Sequence, residues 1–143
     1  MMKLILALLV MPMVLFSDVV VSDEFLNALA IVESNNDSSK VGKLGELGIL
    51  QIRKCVLDDV NRVFKTNYTI NDTKDDEKSR EICRKYLKHW GGIYERRTGL
   101  KADHQVLAKI WNGGPLAPTK KRYAVARKLS RYWMKVRQYI ETA

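Results

Sequence analysis

Apolar residues recur at helical spacing in five stretches of this chain, separated by polar, turn-forming residues. Phe25, Leu29 and Val32 share one helical face with Leu26 beside them, and Ser22-Asp23-Glu24 supplies a cap and acids suited to a helix start. This predicts a helix from Phe25 to Val32. Ser34 to Leu47, rich in Asn, Ser, Gly and Lys, reads as a loop or short irregular hairpin. Cys55 to Lys65 reads as a helix with Val56, Val60, Val63 and Phe64 inward, followed by a turn-rich connector from Thr66 to Lys74. Lys78 to Trp90 is a further helix, with Ile82, Tyr86 and Trp90 toward the core, that ends or kinks at Gly91-Gly92. Asp103 to Asn112 turns Val106, Leu107 and Ile110 inward and stops at Gly113-Gly114-Pro115. After Thr119, Tyr123, Ala126, Leu129, Trp133, Val136 and Ile140 mark a final helix. With no internal repeat or linker, the pattern predicts one mostly helical domain over residues 23–143.

The first residues follow another logic. Lys3 precedes a 13-residue apolar run, Leu4 to Phe16, interrupted by Pro12. That run is short for a membrane span and suits a signal peptide over residues 1–22, cleaved after Ser17 or Ser22. The expected location is secreted or periplasmic; an uncleaved leader would tether the chain to a membrane. Export would expose Cys55 and Cys83 to oxidation, and a bridge would close 27 residues and contribute about 3–4 kcal/mol. Two free thiols are the alternative.

Composition matters through where the charge lies. The net charge is +9, and no acidic residue stands between His104 and Ile140. Lys109 and eight further cations from Lys120 to Arg137 occupy that stretch. Anionic cell-wall polymers or a membrane surface are the expected partners. The leader and the lack of a binding motif argue against nucleic acid. His89 and His104 have no cysteine at ligand spacing, so neither a metal nor a cofactor is expected. No phosphate loop or nucleophile elbow is present. The chain is expected to be a monomer.

Glu33 carries the candidate chemistry. It ends the first predicted helix, with apolar residues before it and Gly48-Ile49-Leu50-Gln51-Ile52 after it. Poor solvation raises a carboxyl pKa and keeps the acid protonated, as a proton donor to a glycosidic oxygen must be.

Three segments then fall into a recognisable order: Ile31-Val32-Glu33-Ser34, Gly45-Glu46-Leu47-Gly48-Ile49-Leu50-Gln51-Ile52, and Ile110-Trp111-Asn112-Gly113-Gly114-Pro115. Together with Tyr132-Trp133-Met134-Lys135-Val136, this order resembles lysozyme-like peptidoglycan hydrolases, both the invertebrate-type (destabilase-type) lysozymes and the lytic transglycosylase domains of bacteria and phages. The resemblance implies an α+β lysozyme-like fold, peptidoglycan glycan strands as substrate, and Glu33 as general acid at the mouth of a sugar cleft. Gln51 would line that cleft, with Asn112, Gly113 and Gly114 opposite and Trp111 facing the sugar. Gln51 equally suits a structural role, and Gly113-Gly114-Pro115 an ordinary helix stop.

The chain departs from the pattern at Gly42-Lys43-Leu44-Gly45, where lysine stands at the expected second carboxylate. Glu46 lies three residues on and either replaces it or serves the loop. Asp37 reads as exposed loop. Trp111 replaces the tyrosine of the transglycosylases, and two cysteines contrast with the cysteine-rich invertebrate enzymes. Three readings follow: a hydrolase using Glu33 with Glu46, a lytic transglycosylase using Glu33 alone, and a non-catalytic wall-binding or lysozyme-modulating protein.

Overall fold

The structure, a computed structural model, describes residues 18–141. Residues 1–17 of the leader expected over residues 1–22 lie outside the described residues, and so does the expected cleavage after Ser17. Five α-helices follow in order: α1 (Asp23–Ser34), α2 (Lys54–Phe64), α3 (Asp76–Thr98), α4 (His104–Gly113) and α5 (Tyr123–Glu141). Short 3-10 turns at Ile70–Lys74 and Ala117–Thr119 precede α3 and α5.

Side-chain caps set the helix starts. Ser22 Oγ accepts from Phe25 N at 3.2 Å, Asp75 from Lys78 N at 2.9 Å, and Asp103 from Val106 N at 2.9 Å. Each satisfies an N–H that the first turn leaves without a partner, worth about 1 kcal/mol. α1 ends where Asn35 turns left-handed (φ 60°), and its N–H closes on Ala30 and Ile31. The helix therefore carries Glu33 in its last turn.

The helices pack into one core. α5 lies across α1 and α4, and α3 packs against α1, α2 and α4. Phe25, Leu26, Leu29, Leu50, Ile82, Leu87 and Ile110 are fully buried there. Burial of a large aliphatic or aromatic side chain stabilises by about 1.5–3 kcal/mol, so this cluster supplies most of the folding drive.

The structure decides five points that the sequence left open or read otherwise. α3 continues through Gly91-Gly92 to Thr98. The reason is packing: a Cβ on Gly91 would come within 3.0 Å of both Leu107 and Val19 side chains. Glycine there buys close helix contact and does not end the helix. The segment between α1 and α2 is irregular, as the sequence suggested, with isolated antiparallel bridges, Val41 with Leu47 and Leu47 with Ile52, and no strand among the described residues. Phe64 is 40% exposed, meeting the His89 ring edge-on at 6.2 Å, and Tyr123 is 79% exposed. Both stand at helix ends, where the inward stripe has rotated out or run past its neighbour.

Both cysteines are free: Cys55 is exposed in the first turn of α2, and Cys83 is buried on α3. Of the two readings the sequence left open, two free thiols is the one seen: one thiol faces solvent and the other the core. Finally, Val19 and Val21 are buried, at 7% and 3% exposure, and Arg84 donates to the Val21 carbonyl. The packed domain thus includes residues before Asp23.

Candidate functional site

A cleft of about 570 Å³ opens beside the end of α1, within the size range of ligand clefts. Three chain segments build it. α1 contributes Glu33, the loop to α2 contributes Lys40, Lys43, Glu46, Gln51 and Arg53, and the end of α4 contributes Trp111 and Asn112. Five of the residues singled out from sequence therefore meet at one place: Glu33, Glu46, Gln51, Trp111 and Asn112.

Glu33 sits at the inner wall. Its Oε1 accepts a 2.6 Å hydrogen bond from Tyr132 Oη on α5, and its backbone carbonyl accepts from Lys40 Nζ at 2.7 Å. Burial raises the Glu33 pKa above its usual 4.5; Tyr132, Arg53 and Lys40 oppose that shift, and Glu46 adds to it. The Tyr132 hydroxyl is itself pushed well up by burial and by facing Glu33, so it stays protonated and donates. With Oε1 engaged as an acceptor, Oε2 is the oxygen left to carry the proton.

Glu46 has the opposite environment. Its Oε2 accepts from Leu44 N at 2.9 Å and its Oε1 from Arg53 Nε at 3.3 Å. Hydrogen bonds from the backbone, with Arg53 helping, hold its pKa below the usual value. One carboxyl is thus biased toward the acid and its neighbour toward the anion, the arrangement that separates a proton donor from a charged partner.

The loop holds its shape through its own polar groups. Ser34 Oγ donates to Ile49 O at 2.8 Å and accepts from Asp37 N at 3.1 Å, tying the end of α1 to the segment beyond the loop. Gln51 Nε2 donates to Lys40 O at 3.1 Å and Gly48 O at 2.9 Å. Gln51 therefore both lines the cleft and closes the loop. Gly42 leaves room for this, since a Cβ there would stand 2.3 Å from Glu46 Oε2 and 2.8 Å from Gln51 Oε1.

On the opposite wall the Trp111 ring is braced edge-on by Tyr86 at 5.8 Å. Asn112 Oδ1 is buried with no hydrogen-bond partner, alone in this among the described side chains. An acceptor left so costs roughly 1–3 kcal/mol.

Gly113 and Gly114 do not line the cleft. Gly113 lets α4 approach its neighbours, because a Cβ would lie 2.6 Å from Ala117 and 2.8 Å from Leu129. Gly114, at φ 85°, closes the helix on Ile110. Their role is the helix stop. Asp37 is exposed and turned on Ser39.

Sequence reasoning missed Tyr132, Arg53 and Lys40 as site residues. Tyr132 lies three positions from Leu129 and next to Trp133, a spacing that is the one local signal of an inner face. Nothing local named a partner 99 residues away. No protein-family model matches the chain, and no curated protein matches it in sequence.

Proposed function

We propose that this chain is an exported, lysozyme-like glycosidase that cleaves the glycan strands of peptidoglycan, with Glu33 as general acid. The observation that carries the reading is the desolvated Glu33, pKa raised, on the wall of a cleft whose second carboxyl, Glu46, is held ionised. Protonated Glu33 gives its proton to the bridging oxygen as the glycosidic bond breaks. The Glu46 carboxylate then steadies the positive charge on the sugar ring or activates water. Trp111 and Asn112, which line the cleft, are the residues placed to meet the sugar. The cations Lys40, Lys43 and Arg53 suit a polymer bearing carboxylates.

A second reading is favoured by one detail: both Glu46 oxygens are already engaged, by Arg53 and by Leu44 N. In that case Glu33 works alone, as acid and then base, and the sugar's own 6-hydroxyl attacks, as in a lytic transglycosylase.

Digestion of purified peptidoglycan, followed by mass spectrometry of the products, separates these outcomes. Reducing ends indicate hydrolysis, and 1,6-anhydro ends indicate transglycosylation. Glu33→Gln should lower either rate by at least about a hundredfold. Equal activity in Glu33→Gln would overturn the assignment, and no products from folded native protein would leave a non-catalytic binding protein.

A further inference from the structure

The outward face of α5 has no role in the cleft, and its make-up is specific. Leu129 and Val136 commit the inner face to the core. Tyr123, Arg127, Arg131 and Lys135 recur every four residues along the outer face, with Met134 beside them. All are exposed, Tyr123 at 79% and Met134 at 53%. Lys120, Lys121 and Arg122 extend the charge into the preceding segment, where Leu116 is 56% exposed.

Among the described residues, none of these cations enters an ion pair. Arg137 alone on α5 does, with Glu141 at 2.5 Å. A row of uncompensated cations raises the local potential and waits for a polyanion.

We propose that this face docks peripherally on a bilayer surface rich in anionic lipid. Charge alone would suit any polyanion, but the large exposed side chains favour lipid. Tyr123, Met134 and Leu116 gain little against a hydrophilic phosphate polymer. At a headgroup boundary they leave water, and a tyrosine sits there with its ring in the apolar layer and its hydroxyl wet. The inner face of α5 stays in the core, so the helix lies along the surface and does not insert. No helix among the described residues is long and apolar enough to cross a membrane. None of the outer-face residues lines the Glu33 cleft, so docking is separate from the proposed chemistry.

Co-sedimentation of the processed, exported protein with vesicles tests this. Vesicles of phosphatidylcholine containing phosphatidylglycerol should bind it, and pure phosphatidylcholine should not. The triple replacement Arg127→Gln, Arg131→Gln, Lys135→Gln should weaken binding roughly a hundredfold, taking each cation near the surface as a severalfold effect. Tyr123→Ser with Met134→Ser should weaken it roughly tenfold. Circular dichroism checks that these exposed replacements leave the fold intact. Equal binding to both vesicle types would overturn the proposal. So would unchanged binding by the Tyr123/Met134 variant together with full competition by a glycerol-phosphate polymer, which would mark a polyanion surface instead.

Discussion

Glu33 is held between burial, which favours its acid form, and Tyr132, which favours the anion. Removing the hydroxyl therefore has a definite sign. In Tyr132→Phe the Glu33 pKa rises further, and since the reaction needs the protonated acid, the alkaline limb of kcat/KM moves to higher pH. A pH–rate profile of both proteins checks this, and an unmoved limb would show that Tyr132 does not tune Glu33. The same balance has a consequence for stability. A carboxyl whose folded pKa lies above its unfolded value binds its proton more tightly when folded, so stability falls as pH rises between the two. Glu33→Gln should accordingly unfold at higher temperature than the parent at neutral pH. The difference should vanish well below 4.5, the ordinary carboxyl value, where both side chains are neutral. Thermal melts across that range read it directly.

At the scale of elements, the loop between α1 and α2 is held by its own hydrogen bonds, by isolated bridges and by close backbone approach. Gly48 has φ 77°, and a Cβ there would lie 1.8 Å from the Thr73 carbonyl oxygen. Gly48→Ala should cost about 2–4 kcal/mol in urea unfolding, from left-handed strain plus displaced backbone. Gly45 has a similar φ of 81° but open space around it, so Gly45→Ala should cost only about 1 kcal/mol. Near-equal costs would mean that strain alone matters and the Thr73 contact does not. The helices carry a second test through their thiols. Native protein should react with a thiol reagent once, at exposed Cys55, and buried Cys83 should react only on unfolding. A reductant should leave the melting temperature unchanged.

For the whole molecule, the decisive boundary is at the start of the domain. Cleavage after Ser22 would strip away Val19 and Val21, both buried, and the carbonyl that Arg84 grips. Cleavage after Ser17 would keep all three. Under the proposal that the chain is exported and its leader removed, the processed protein is expected to begin at Asp18, which its intact mass would show. A chain beginning at Asp23 should be less stable by about 3–5 kcal/mol, two buried valines' worth, when both forms are compared by denaturant unfolding.

Local periodicity was enough to place all five helices, because amphipathic spacing and capping side chains act within a few residues. Glu33, Glu46, Gln51, Trp111 and Asn112 were likewise legible as candidates, each by its neighbours in the chain. Tertiary structure decided what no window could hold. It put Tyr132 on Glu33, tied Glu46 to Arg53, and left Asn112 Oδ1 buried without a donor. It packed Gly113 against Ala117 and Leu129, set Gly114 at the end of α4, carried α3 through Gly91, and kept Cys55 and Cys83 apart. The physical reason is the same throughout. Helix formation answers to spacing along the chain, whereas desolvation, close approach and pKa depend on which distant surfaces meet.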